Sequence, residues 1–139
     1  MNHLAILEKE PFKKILSGEK TIESRWYKKK IAPYNKIKES DKVYFKESGQ
    51  KFVTTSGITK KVLFIDNLDE SKIIEIYETY GEEICFSKSR DELIEKHKDK
   101  KYCILIFLKD ICKLKNPFIV KKSYGTAWIT VDNIDKLKL

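Results

Sequence analysis

Arginine, histidine and cysteine are all scarce in this chain of 139 residues. Of its 29 basic residues only Arg25 and Arg90 are arginine, and the rest are lysine. The two histidines, His3 and His97, stand alone, with no His-x-x-x-His spacing and no paired cysteines to complete a metal site. Cys85, Cys103 and Cys112 are an odd number without a C-x-x-C pair, so they point to neither a disulfide framework nor zinc. No metal and no cofactor is expected, and a reduced, cytoplasmic setting is the natural home. A glycine-rich phosphate loop of the P-loop or dinucleotide type is missing. So is any apolar run long enough to span a bilayer, and the first residues lack the apolar core of a secretory signal. No local motif orients a base towards a serine or cysteine nucleophile.

What is abundant is lysine, and it is unevenly spread. Residues 1–61 carry 15 Lys and Arg against 7 Asp and Glu, residues 62–99 carry 5 against 11, and residues 100–139 carry 9 against 3. Basic ends around an acidic middle suggest one positive face built from both ends of the chain, of the kind that meets phosphates. A generally lysine-rich composition would give the same total of +8 without any such face. The length suits one domain, residues 1–139, with room for a core that needs no staples.

The most informative stretch runs from Ile15 to Trp26. Pro11 suits the opening of a helix, where its missing N–H would be unpaired anyway, and Phe12, Ile15 and Leu16 fall on one helical face. Gly18 suits the left-handed residue that closes it. From Lys20 the period changes to two: Ile22 and Trp26 point to a core, while Thr21, Glu23 and Arg25 share the opposite face. Side chains two apart on a strand are rooted about 7 Å apart. Glu23 and Arg25 therefore either pair as an ordinary ion pair on a solvated face or present an acceptor and a planar donor fork to a ligand.

Gly18-Glu-Lys-Thr-Ile-Glu-Ser-Arg25 resembles the G-x-K-x-x-E-x-R signature of the ASCH family, within the PUA-like superfamily. The segment from His3 to Phe12 is similar to that family's first strand and helix. Ala32-Pro-Tyr34 with Asp41 to Gly49 is similar to its next strand and loop, and Gly125 to Val131 to its closing strand. The family often has Gly-Asp where this chain has Ser40-Asp41. The resemblance implies an α+β fold, a small PUA-like β-barrel of six or seven mixed strands with inserted helices. It also implies RNA binding at the barrel mouth, or hydrolysis. Some ASCH proteins act on acylated cytidine with the signature Lys, a Thr three residues on and a distant Glu; Lys20 matches the first, and Glu23 stands in the place of the Thr. Another cleaves RNA, and its Lys and Arg correspond to Lys20 and Arg25.

Along the rest of the chain, Tyr27 to Glu39 reads as a basic loop in which Tyr34 either meets a ligand or tucks against the barrel. Lys42 to Lys46 alternates, with Val43 and Phe45 inward and Tyr44 and Lys46 outward. A strand is expected over 57–65, a helix from an Asp69 cap to Gly81, and a second helix from the capping box Ser89-Arg-Asp-Glu92, with His97 on its buried side. Tyr102 to Leu108 reads as the most buried strand, with Cys103 a small core residue, Phe118 to Val120 as a short strand after Pro117, and Thr126 to Val131 as the last.

Three readings follow. In the first, the domain binds RNA or a modified nucleotide, held by Lys20, Glu23 and Arg25, with Trp26 or Trp128 stacking and Tyr34, Lys46, Ser48 and Tyr124 lining the site. In the second it is a metal-independent hydrolase of RNA or a modified nucleoside, with Lys20 and Glu23 as the catalytic pair. In the third the acidic helices bury a protein interface and nucleic acid plays no part. A purely structural role for the signature, with Glu23–Arg25 locking the strand and Lys20 covering the barrel end, stands beside all three.

Overall fold

The computed structural model describes residues 1–122 and 125–139. Six strands form one mixed sheet: β1 (Asn2–Leu7), β2 (Ile22–Tyr27), β3 (Lys42–Glu47), β4 (Phe52–Ile65), β5 (Tyr102–Ile119) and β6 (Trp128–Val131). Their order is β2-β5-β4-β3-β1-β6, with β1 parallel to β3 and every other pairing antiparallel. Helix α1 (Lys9–Ser17) follows β1, while α2 (Glu70–Ile84) and α3 (Arg90–His97) are inserted between β4 and β5. The architecture is α+β, a half-barrel with inserted helices.

The two long strands shape the sheet. Three register shifts along β4 and β5, at Val53/Thr55, Ser56/Ile58 and Thr59/Lys61, add the local twist that curls it. Inside the curl lie Ala5, Val43, Phe45, Ile104, Ile106 and Trp128, with Phe12 and Ile15 of α1 packed against them. On the outer face Ile22, Cys103 and Leu105 meet Ile73, Ile76 and Leu93 of the two helices. The first half of β5 is thus covered on both faces, which is why Tyr102 to Leu108 is continuously apolar rather than alternating. Burial also raises the pKa of the Cys103 thiol well above its usual value.

Local signals place the helices. Gly18 closes α1 at φ 81°, Asp69 caps α2 by accepting from the Lys72 amide, and Ser89 and Glu92 form the reciprocal box that starts α3. Ser40, which precedes Asp41 at the start of β3, takes the left-handed conformation without glycine, at φ 73°.

Four expectations change. β4 begins at Phe52 rather than residue 57, and α2 runs through Gly81 to Ile84, ending on Cys85 at φ 63°. β5 continues through Pro117 to Ile119 instead of breaking into a separate strand. Its other neighbour, β2, pairs only as far as Phe107, so Pro117 sits where the strand has one free side and its missing N–H costs no ladder bond. Tyr44 is buried rather than outward, because Leu4, Val53 and Ile134 build a small second core on that face.

Candidate functional site

Both faces of β2 are covered. Ile22 joins the core beneath the helices, as its period implies, but Glu23 and Arg25 lie inside the curl rather than on a solvated face. Glu23 is only 5% exposed. Its Oε1 accepts from the Ser24 amide at 3.0 Å and faces Lys20 Nζ at 3.5 Å, and its Oε2 accepts from Arg25 Nη2 at 3.1 Å. The result is a buried carboxylate between two cations, one on each oxygen.

Each cation is fixed by backbone from elsewhere in the fold. Lys20 Nζ donates to the Ile84 carbonyl at 2.6 Å, at the C-terminal end of α2, where carbonyls lack helical partners and the helix dipole is negative. Arg25 Nη2 also approaches the Ile6 carbonyl at 3.5 Å, and the guanidinium lies over the Trp128 ring, 5.1 Å from its centroid. Arg25 therefore reaches from one edge of the sheet to the other. Burial raises the pKa of the neighbouring Tyr27 hydroxyl, and the charge of Arg25 partly offsets it.

Trp128 is locked from behind. Its Nε1–H donates to His3 Nδ1 at 3.2 Å, and the indole N–H can only donate, so Nδ1 carries no proton. His3 Nε2 then donates to Asp41 Oδ2 at 2.8 Å. Burial lowers the His3 pKa, against the opposing pull of Asp41. Burial alone would raise Asp41, but its bonds from His3 and the Lys38 amide hold it below the usual carboxylate value.

A cleft of about 710 Å³ opens over this triad, lined by Lys20, Glu23, Arg25, Trp26 and Trp128 and walled by Ile6, Tyr27, Ile31, Phe86 and His97. Lys88, Lys96 and Lys100 stand on the helical side. Trp26 stacks on His97 with centroids 4.1 Å apart and planes 7° from parallel. His97 is buried, its Nδ1 makes no hydrogen bond among the described residues, and burial with Lys96 and Lys100 lowers its pKa to about 4.

The remaining sequence candidates lie elsewhere. Tyr34 is in the core, edge-on to Phe64 and Tyr102, and does not line the cleft. Lys46 and Ser48 line a second, shallower cleft of about 650 Å³ with Lys51 and Lys121, on the far side of Gly125 to Ala127. Trp128 is buried with Arg25 on its face, so it positions the guanidinium rather than offering an open platform. Tyr124 lies outside the described residues. Sequence reasoning missed the Ile84 carbonyl, Phe86, His97 and the helical lysines. The only available signal was the lysine-rich run from Lys96 to Lys101, which an acidic average over residues 62–99 conceals. Among the described residues no cluster of His, Cys, Asp and Glu could hold a metal ion, and no helix is long and apolar enough to cross a membrane.

No protein-family model matches the sequence, and no curated protein matches it. Solved structures do match. A Ser-to-Ala variant of an ASCH protein from Zymomonas mobilis superposes with a TM-score of 0.71 at 16% identity, covering 97% of this chain and 91% of that one. A Tyr-to-Phe variant of the same protein gives 0.69 at 15%, covering 97% and 93%. An ASCH structure from the same organism gives 0.58 at 19%, covering 84% and 70%. The chain thus shares the fold of these ASCH structures over nearly all of its length.

Proposed function

We propose that this ASCH-fold domain binds RNA or a modified nucleotide by taking a single base into the cleft above Lys20, Glu23 and Arg25. The observation that carries the reading is the buried carboxylate held between two cations on the floor of a cleft of about 710 Å³. That volume falls within the range of about 300–1,000 Å³ usual for sites that enclose a small ligand. Opposed, fixed hydrogen-bonding groups at such a depth suit the polar edge of a base, and Lys88, Lys96 and Lys100 on the wall suit its phosphate. The net charge of +8 favours the same class of partner.

Glu23 already accepts from the Ser24 amide and Arg25 and pairs with Lys20, which favours recognition over proton abstraction and so binding over hydrolysis. Helices α2 and α3 lay their apolar residues on the sheet, so the apolar face a protein interface would use is already covered.

The test is a salt titration of binding, with nucleoside monophosphates and a pool of small structured RNAs as ligands and Lys96→Glu/Lys100→Glu as the comparison. Lys96 is exposed and Lys100 half-buried, so this variant keeps the fold. Affinity that falls with salt and drops at least tenfold in the variant supports the reading. Equal binding by both proteins overturns it. Shortened RNA or altered nucleoside on chromatography transfers the site to the hydrolase reading with Lys20 and Glu23 as its pair.

A further inference from the structure

Resting on that reading of the cleft, we infer that the base it selects is a cyclic imide of the uracil type. The inference comes from counting the hydrogen-bonding capacity the triad has left. A lysine ammonium carries three N–H groups. One of those on Lys20 is given to the Ile84 carbonyl at 2.6 Å while the ammonium faces Glu23 Oε1 as an ion pair at 3.5 Å, so donor capacity remains. A carboxylate offers about four lone-pair sites. On Glu23 the Ser24 amide donates to Oε1, which Lys20 also faces, and Arg25 donates to Oε2, so an acceptor site remains on Oε2. Arg25 uses Nη2 for Glu23 and the Ile6 carbonyl and also bonds the Tyr27 hydroxyl, which leaves two of its five N–H groups.

The order of these groups is fixed by the same contacts. Lys20 sits on one oxygen of Glu23 and Arg25 on the other, so the acceptor lies between the two donors. The floor of the cleft therefore reads donor, acceptor, donor.

Its complement is an edge that reads acceptor, donor, acceptor, and among the common bases this is the imide edge of uracil: carbonyl, N–H, carbonyl. Cytosine carries its amino donor at one end of the edge with two acceptors beside it, so it meets one donor of the triad and leaves the carboxylate or a cation unmatched. Guanine turns a ring N–H and an amino group towards the site and sets one of these donors against a cation. Adenine lacks a third polar group. A site whose buried polar groups are left unpaired rejects such analogues strongly. Because Glu23 is central and buried, the imide N–H is the group on which discrimination turns.

The experiment is calorimetric titration of the wild-type protein with uridine, 3-methyluridine, cytidine and guanosine 5′-monophosphates. The indole N–H signals of Trp26 and Trp128, both on the cleft wall, are followed by NMR. All four ligands carry the same phosphate, so the lysines contribute alike and only the base differs. The expected result is uridine monophosphate binding at least tenfold more tightly than each of the other three, with both indole signals shifting. If cytidine, guanosine or 3-methyluridine monophosphate binds as well as uridine while the indoles shift, the imide assignment is overturned and the cleft reading stands. If no nucleotide binds, or binding leaves both indole signals unmoved, the cleft reading falls and the assignment falls with it. Since every arm uses the wild-type protein, no outcome turns on whether a triad variant folds.

Discussion

Replacing Glu23 by glutamine is the most direct probe of the charge arrangement, because it changes the charge and hardly the shape. The new side chain keeps an oxygen for the Ser24 amide, but it removes the negative charge that Lys20 and Arg25 share at 3.5 and 3.1 Å. Breaking a buried ion pair by removing one partner costs about 3–5 kcal/mol, because the remaining charge is left uncompensated. Here Lys20 keeps the Ile84 carbonyl, and Arg25 keeps the Ile6 carbonyl and the Trp128 face, so the low end of the range applies, about 3 kcal/mol. With about 2.1 cal/mol/K of unfolding entropy per residue, 139 residues give about 0.29 kcal/mol/K, and the loss corresponds to a Tm lower by about 10 °C. Thermal unfolding followed by circular dichroism measures it. The melt is then repeated in 1 M salt, where an exposed ion pair is screened and a buried one persists. A Tm within about 2 °C of wild type, or a deficit that vanishes in high salt, would refute the reasoning.

Two further outcomes concern His97 on the cleft wall and Ser40 in the turn before β3. His97 has a folded pKa of about 4 against an ordinary value of 6.5, so it is neutral when folded and takes up its proton on unfolding. Its contribution is therefore full above about pH 6.5 and lost progressively as the pH falls towards 4, a decrease on the order of 1–2 kcal/mol once solvent screening is allowed for. His97→Phe, which retains a ring against Trp26, should flatten this limb in urea midpoints at pH 7 and 5, and an unchanged slope would show that His97 does not carry it. Ser40 is exposed and holds φ 73° without glycine, a strain of about 1–2 kcal/mol. Glycine relieves that strain but adds about 0.5–1 kcal/mol of unfolded-chain entropy, so Ser40→Gly should gain about 0.5–1 kcal/mol. A urea midpoint at or below that of wild type would contradict this.

Signals that act over a few residues were legible in the sequence. Gly18 ending a helix, Asp69 and Ser89 beginning two others, and the apolar run of β5 each depend on neighbours in the chain, and each appears where its local chemistry puts it. The signature residues Lys20, Glu23 and Arg25 could be singled out for the same reason. Their environment could not. The partner of Lys20 is a carbonyl 64 residues away, and the ring that covers Trp26 is 71 positions along the chain at His97. Alternation gave β2 its inward and outward sets but not the fact that both sets are covered, since that depends on how far the sheet curls. Tyr34 is open to two local readings, a ligand contact or a ring tucked against the barrel, and the loop turns its ring into the core. Lys46 and Ser48 belong to a neighbouring cleft for the same topological reason, since β3 and the segment before β6 meet only in three dimensions.

The sheet ends at β2 on one side and β6 on the other, and among the described residues no ladder joins these two edges. Across the gap reaches the Arg25 guanidinium, touching the Ile6 carbonyl and the Trp128 ring from its seat on β2. Mechanically, Arg25 is a clasp on an open collar. The collar can widen by releasing side-chain contacts alone, with every interstrand hydrogen bond intact, so admitting a bulky guest does not require local unfolding. Under the proposed nucleotide binding, a base that draws Arg25 towards itself also unfastens the clasp. On that reading, occupancy and the curvature of the sheet are tied to the same residue.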